Sequence, residues 1–294
     1  MRRLTAILAA ALVVVSGCTS PEPGTEEPSE VPTGSSTSTP TTAAPTTPAH
    51  SPTVEPDVVV AGSVYFLRDE KLVPASRDLP GPGVAEAAVR ALLAGPSEAE
   101  QAAGMSSTVP AGTGLRGVNL ADGTVTVDLS GQYASGGGSF SMMGRLAQLV
   151  FTLTQFSSVE RVELRLDGKP VTALGGEGVI IDRPQTRGDY EDFAPAVLVE
   201  SPVFGANVTS PLRVYGSANV FEAQFSLRVT DAAGKALVEQ PVMATSGTGT
   251  RGTFDTTLRF TVAAVGPGKV IAWYASAQDG SEVVVSEIPV NLGS

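Results

Sequence analysis

Cysteine and histidine supply many of the nucleophiles, proton shuttles and zinc ligands of proteins, and this chain of 294 residues contains one of each, Cys18 and His50. Ser-His-Asp and Cys-His arrangements need an imidazole beside the nucleophile. A zinc site needs several such ligands. No lysine follows a serine by three residues, so the Ser-x-x-Lys motif is also absent. We therefore predict no catalytic residue, no cofactor and no metal site, and a protein that is not an enzyme.

Cys18 follows the apolar run of the N-terminus directly, in the sequence VVVSGCTS. The first 15 residues combine two arginines with an apolar stretch of secretory length, too short for a permanent span. The tripeptide VSG before the cysteine resembles the bacterial lipobox, in which the thiol is acylated and the preceding bond is cut. This resemblance implies a lipoprotein signal peptide over residues 1–17 and lipid attachment at Cys18. The alternatives are an ordinary signal peptide with a stray thiol, or a cytoplasmic protein with a hydrophobic start.

The charge of the chain limits its partners. Its net charge of -11 becomes -13 when Arg2 and Arg3 leave with the signal peptide, because 17 basic residues then stand against 30 acidic ones. Nucleic-acid binding relies on basic side chains that neutralise phosphates, and anionic lipid head groups repel an acidic surface. We therefore expect no nucleic-acid partner, and attachment to the extracytoplasmic face of the cell membrane through the lipid alone.

Residues 19–56 have a composition unlike the rest, since 25 of these 38 residues are Ser, Thr or Pro. Such a segment buries too little apolar surface to offset the entropy of ordering it. The sequence thus predicts a lipidated cysteine and disordered tether over residues 18–56, with His50 inside it.

Carboxylates are the remaining groups for chemistry, because a glycan hydrolase needs two of them at a suitable separation. Those at predicted strand ends of the first domain are Asp128, Glu160, Glu163, Asp167 and Asp182. Strand ends and turns are also where solvated acidic residues are commonly found, and we favour that interpretation. The sequon Asn207-Val208-Thr209 is interpreted as a turn between strands.

Two Gly-x-Gly-x-x-Gly patterns occur, one starting at Gly112 and one at Gly247. Dinucleotide binding requires a strand before the pattern and a helix after it, whereas here one copy leads into a predicted strand and the other lies between strands. A glycine run at residues 136–138 precedes Ser139, a possible N-cap. This run could cradle an anion, although a flexible loop is the favoured interpretation.

The elements of residues 57–188 alternate in type. Strands are predicted at 58–67, at 115–130 around the Asp122-Gly123 turn, and at 161–171. Helical spacing predicts one helix near 85–93 and a longer one over 142–156. The sum is an α+β domain in which two helices cover one face of a small sheet.

Several segments of this region resemble, in order and spacing, the GerMN domain of spore-germination proteins and envelope lipoproteins. They are LVPASRDLP, AVRALLAGPS, TVPAGTGLRGVNLADGTVTVDLS and LAQLVFTLTQFSSVERVELRLDGKPV. The resemblance implies a part in sporulation or germination assemblies, or in envelope signalling and maintenance.

Beyond a polar joint at 183–195, the pattern changes to short strands only. The stretch 221–230 places Phe221, Ala223, Phe225, Leu227 and Val229 on one face. About seven strands predict an all-β immunoglobulin-like sandwich over residues 195–294, with the single tryptophan, Trp273, in its core. LVESPVFGANVTSPLRVYGSANVFEAQFSLRV and GKVIAWYASAQDGSEVVVSEIPV resemble the immunoglobulin-like domain of bacterial spore germination.

Two functional hypotheses follow. The first is a lipid-anchored envelope protein without enzymatic activity, whose domains bind envelope proteins or the cell wall. The second is a peptidoglycan-modifying enzyme or a small-ligand receptor.

Overall fold

A computed structural model describes residues 58–176 and 178–293 of the chain. The N-terminal domain opens with a hairpin of β1 (Val59–Arg68) and β2 (Lys71–Pro80). Its tight turn uses Asp69 and Glu70, both at positive φ. Residues 64–67 of β1 are buried in the domain core, so this strand is central to the packing and not a surface ribbon.

Three helices follow in the described part of this domain, α1 (Val84–Ala94), α2 (Glu98–Ala102) and α3 (Ser139–Leu153). The prediction of two helices missed α2, a single turn that forms because Ser97 and Glu100 make a reciprocal capping box. The helix α3 begins at Ser139 itself, with Gly138 at the N-cap, so Ser139 is not the cap that the sequence predicted.

A mixed sheet has the order β3 (Leu115–Ala121), β4 (Thr124–Leu129), β5 (Arg161–Leu166) and β6 (Lys169–Pro170). β4 and β5 are parallel because α3 connects them, whereas the outer pairs are antiparallel. The strand predicted over 161–171 is interrupted by a turn at Asp167-Gly168. A small hairpin follows, of β7 (Ala173–Leu174) and β8 (Val179–Ile180).

The polar joint is folded. Residues Arg187–Phe193 form a short 3-10 helix capped by Thr186 and Asp189. Tyr190 and Phe193 of this helix are buried in the N-terminal core. The segment is therefore part of the first domain's packing, which its polar composition did not predict.

The C-terminal domain is a sandwich of two sheets. One has the order β10 (Asn207–Val208), β16 (Glu282–Leu292), β15 (Gly266–Ala275), β12 (Gln224–Asp231) and β13 (Ala236–Met243). The other has the order β14 (Gly252–Leu258), β11 (Leu212–Ala218) and β9 (Val197–Ser201). Between them, Phe225 and Phe254 meet edge to face at 4.9 Å. The predicted succession of an α+β domain and an immunoglobulin-like all-β domain is confirmed.

Three predictions in this domain are wrong. Asn207 and Val208 of the sequon form the short strand β10 and not a turn. Phe221 and Ala223 do not belong to a strand, because residues 221–223 form a 3-10 turn and β12 begins at Gln224. Trp273 is not a core residue. Val270 and Ala272 of β15 face the core, and strand alternation therefore turns Trp273 to the outer face, opposite Ser226.

Candidate functional site

Arg187, at the start of the 3-10 helix, lies where the two domains meet. Its guanidinium donates to Glu200 Oε1 at 2.7 Å and to Thr154 Oγ1 at 2.8 Å. The same plane covers the Phe151 ring, 4.7 Å from the ring centroid. Because Glu200 belongs to β9 and the other partners belong to the N-terminal domain, one side chain connects both domains.

Tyr65 of β1 completes this arrangement, since its hydroxyl donates to the same oxygen of Glu200 at 2.5 Å. Burial, reinforced by the Glu200 charge, raises the pKa of Tyr65 well above its ordinary value. Burial lowers the pKa of Arg187, but the adjacent Tyr65 and Glu200 outweigh that effect and raise it. At neutral pH the neutral phenol of Tyr65 therefore donates to the Glu200 carboxylate, which also accepts from the Arg187 cation.

Glu191 forms a second connection. Its carboxylate accepts from Arg251 at 2.9 Å and from the Asn219 amide at 3.0 Å, both in the C-terminal domain. Arg251 also donates to the carbonyl of Pro195. Burial opposes ionisation of Glu191, but the hydrogen bonds from Arg251 and Asn219 hold its pKa below the usual range. The joint is thus an ionic framework and not a free linker.

Comparison with known families identifies both domains. A family model described as sporulation and spore germination matches residues 63–172. A second, the immunoglobulin-like domain of bacterial spore germination, matches residues 196–281. The chain thus contains two regions that each match a germination-type domain family. The first is called the GerMN domain below, and the second the immunoglobulin-like domain.

Solved structures include similar chains. The tandem GerMN domains of the sporulation protein GerM from Bacillus subtilis overlay 80% of this chain at 18% identity and a TM-score of 0.39. That overlay spans 61% of the GerM chain, so it covers about three fifths of that protein's length. The first GerMN domain of GerM alone overlays 44% of this chain and 99% of its own, at 25% identity and a TM-score of 0.36. A Clostridium perfringens protein provisionally named a lipoprotein overlays 48% of this chain and 98% of its own, at 21% identity and a TM-score of 0.34. Among curated proteins, none matches the chain.

Two clefts flank the joint between the GerMN and immunoglobulin-like domains. The larger, of about 490 Å³, is lined by Arg68, Lys71 and Lys269 together with apolar residues of both domains. All three cations have partners there. Arg68 donates to the Glu287 carbonyl at 2.7 Å, Lys71 to the Asp192 carbonyl at 2.6 Å, and Lys269 pairs with the Glu287 carboxylate at 2.8 Å. Of these three contacts, that of Arg68 joins the two domains, whereas the Lys71 contact lies within the first domain and the Lys269 contact within the second.

The predicted lipid-attachment residue Cys18 and the single histidine, His50, lie outside the described residues. No helix among the described residues is both long and apolar enough to cross a membrane. In residues 58–176 and 178–293, no cluster of three or more His, Cys, Asp or Glu side chains could hold a metal ion.

Of the carboxylates considered for glycan chemistry, Glu163 and Asp182 line one cleft of about 270 Å³, whereas Asp128 and Asp167 are engaged by backbone N–H groups and an arginine. Asp167 is bound to Arg116 at 2.5 Å and to the Gly131 backbone N–H, while Asp128 accepts from the Gly168 N–H. Glu160 and Glu163 each face a neighbouring arginine. The contacts of Asp128 and Asp167 fix the two ends of the β5–β6 turn, and this is a structural task.

The glycine patterns serve backbone packing. Gly112 lies in the loop before β3, so the element that follows it is a strand and not a helix. A Cβ at Gly247 would stand 2.4 Å from the Val220 carbonyl oxygen, so glycine is required there for close backbone approach. Neither copy has the strand, turn and helix of a dinucleotide site.

The glycine run 136–138 is neither an anion cradle nor a loose loop. The buried guanidinium of Arg145, in α3, donates to the carbonyls of Tyr133, Ser135 and Gly136 and to Ser141 Oγ. The carbonyl groups of the loop thus surround a cation supplied by the same domain. Burial lowers the pKa of Arg145.

Sequence reasoning missed the residues of the joint. Tyr65 lay in a strand predicted from its apolar neighbours, and Arg187 and Glu191 lay in a segment interpreted as a polar linker. The available signal was the aromatic pair Tyr190 and Phe193, spaced three apart inside that segment, which is the spacing of one helical face.

Proposed function

We propose that this protein is a lipid-anchored component of the cell envelope whose GerMN and immunoglobulin-like domains act together as one binding or scaffolding unit for envelope proteins or the cell wall. The observation that carries the proposal is the Arg187–Glu200 joint. A joint of shared hydrogen bonds and stacked rings holds two binding surfaces in one relative orientation, which suits a scaffold better than an enzyme that must close on a substrate.

The anchor in this proposal is Cys18. The lipobox-like sequence before it supports acylation, and two acyl chains hold a protein stably at a bilayer, at about 0.8 kcal/mol per buried methylene. The overlay with a Clostridium perfringens protein provisionally named a lipoprotein is compatible with this placement. Residues 19–56 would then separate the folded domains from the membrane.

The identity of the domains supports a role in sporulation or germination, because one family is described by sporulation and spore germination and the other by bacterial spore germination. The competing function is peptidoglycan hydrolysis. The engagement of Asp128 and Asp167 in the β5–β6 turn disfavours it, since a retaining or inverting glycosidase leaves its two carboxylates free on opposite sides of the scissile bond.

The test begins with Cys18→Ser in the native host. We expect the wild-type protein to be cut before Cys18, to carry lipid and to be found in the membrane fraction. The variant should remain uncut at this position and carry no lipid. Cys18→Ser protein that migrates and fractionates like wild type would contradict the anchor.

In parallel, purified full-length protein is incubated with peptidoglycan. Release of soluble fragments would contradict scaffolding, whereas chemical crosslinking to a defined envelope protein without turnover would support it.

A further inference from the structure

An aromatic groove lies at the end of the five-stranded sheet of the immunoglobulin-like domain, where β12 begins. It has a volume of about 360 Å³, and its lining includes Phe221, Glu222, Phe225, Pro241, Trp273 and Tyr274. None of the residues that form the joint lines it. The joint's role in fixing the domains therefore does not account for this surface.

Phe221 stands at the mouth of the groove with 67% of its surface exposed. It is followed by Glu222 and Ala223 at φ values of 52° and 59°. Two successive residues other than glycine in the left-handed region are unfavourable, and such outliers cluster at functional sites. Thr248 maintains the turn, because its Oγ1 accepts from the Glu222 N–H at 3.0 Å and its N–H donates to the Val220 carbonyl at 2.9 Å.

Trp273 also lines the groove. Its indole Nε1 is sealed from solvent and has no hydrogen-bond acceptor. Buried donors without partners are rare and call for an explanation. The guanidinium of Arg228 lies 5.3 Å from the centroid of the indole ring, and Glu239 and Glu282 hold Arg228 in place. The ring is thus fixed from one side, with an unused donor.

We propose that the aromatic groove binds an extended, proline-containing segment of an envelope protein. Pyrrolidine rings in polyproline geometry pack on aromatic side chains, and their backbone carbonyls are free to accept hydrogen bonds. Such a carbonyl is the acceptor that Trp273 Nε1 lacks. Because Nε1 is sealed from solvent in the free protein, a covering group has to move before the carbonyl can reach it.

Charge specifies the segment further. Glu222 is the charged side chain in the lining, and among the described residues it has no ion-pair partner. A basic residue beside the prolines would therefore be favoured by charge complementarity. Gln224 and Ser226 complete the polar part of the lining, and the test below separates a glycan from a peptide.

The inference rests on the proposed function in one respect, namely that the partner is a protein of the cell envelope. Trp273 is the single tryptophan of the chain. Its fluorescence therefore reports on the groove directly, in purified full-length protein. A failed fractionation test would leave this measurement unchanged, and so the two proposals can fail separately.

The probe is the peptide Lys-Pro-Pro-Thr-Pro-Pro-Lys, and the matched control peptide replaces each proline by alanine. We expect a saturable change in tryptophan emission with the proline peptide and binding at least about tenfold weaker with the alanine peptide. Phe221→Ala should weaken binding by at least about tenfold. Val265→Ala alters a side chain that is also 67% exposed but lies outside the groove, and it should leave the affinity unchanged.

Trp273→Phe keeps an aromatic ring but removes the N–H together with the five-membered ring of the indole, so calorimetry on this variant should show binding weakened about fivefold or more. Unchanged emission at millimolar proline peptide, or equal affinity for Phe221→Ala, would overturn the proposal. Preferential binding of an N-acetylglucosamine oligomer would identify the ligand of the groove as a glycan and not a peptide. Tighter binding of a peptide copying residues 39–49 would assign the groove to the chain's own segment. Either of these two results would also overturn the proposal as stated.

Discussion

The carboxylate oxygen Oε1 of Glu200 lies 2.7 Å from the guanidinium of Arg187, across the boundary between the two domains. The same oxygen accepts the hydroxyl of Tyr65. Glu200 follows the buried residues 197–199 of β9, and Arg187 begins a helix whose aromatic residues are buried in the GerMN core. The interaction therefore ties one hydrophobic core to the other through a single shared atom.

Glu200→Gln should lower the free energy of unfolding by about 2 kcal/mol, since it removes the charge that holds a partly buried guanidinium. The amide keeps the shape and still accepts from Tyr65, so the loss reports on the charge. Urea unfolding monitored by tryptophan fluorescence and circular dichroism measures it. Because the pair joins the domains, we also expect the two signals to separate in the variant.

The control for this substitution is Asp255→Asn. Asp255 pairs with Arg213 on the exposed face of the sandwich, with more than half of both side chains exposed. Exposed pairs contribute little, so its loss should cost less than about 0.5 kcal/mol. Equal effects of the two substitutions would show that the joint is no stronger than a surface ion pair.

Arg145→Lys should destabilise the GerMN domain by about 2 kcal/mol, because an ammonium group cannot reach all the carbonyl groups that the guanidinium fork binds. Hydrogen exchange should rise first in the loop of residues 131–138, because Arg145 binds the carbonyls of Tyr133, Ser135 and Gly136 there. Arg90→Lys changes an exposed pair with Glu86 on α1 and is the matched control. Unaltered exchange in the loop would mean that the glycine run is ordered without Arg145.

Much of the fold could be predicted because it follows from local patterns. Alternation in β4 places Val125, Val127 and Leu129 in the core, and helical spacing places Leu146 and Leu149 there. Asp122 and Gly123, both at positive φ, form the turn between β3 and β4 that their types predict. These signals act over a few residues, and so they are readable without knowledge of the three-dimensional contacts.

The joint and the aromatic groove could not be predicted in this way, because both depend on contacts distant in sequence. Arg187 meets Tyr65 and Glu200, which lie 122 positions before it and 13 after it. Trp273 was placed in the core from its residue type alone. The face on which Trp273 lies is set by strand alternation, because Val270 and Ala272 of the same strand face the core. The turn at Phe221 that completes the groove lies in a different part of the chain, before β12.

Gly216→Ala should destabilise the immunoglobulin-like domain by about 3 kcal/mol or more, because the new methyl group would meet fixed backbone. A Cβ at this position would stand 2.0 Å from the Leu198 carbonyl oxygen, at the bulge between β9 and β11. Gly117→Ala is the control, since nothing lies within 4 Å of its Cβ position. Thermal unfolding of both variants measures the difference, and a stable Gly216→Ala protein would contradict the close approach of the two strands.

Acid should weaken the joint through Glu191. Its pKa is lowered in the folded protein by the hydrogen bonds from Arg251 and Asn219, which outweigh the effect of burial. Between the lowered pKa and the unfolded value of about 4.3, the unfolded chain binds more protons than the folded one. The stabilisation is therefore complete above that unfolded value and is lost as the pH falls through the folded pKa. Urea titrations at neutral pH and at successive steps below pH 5 should show this decline, and Glu191→Gln should reduce its slope. Glu86→Gln, on the exposed face of α1, should leave the slope as in wild type. If Glu191→Gln retained the full acid dependence, the lost stability would have to come from the other paired carboxylates with lowered pKa values, which include Glu100, Asp189, Asp255 and Glu282.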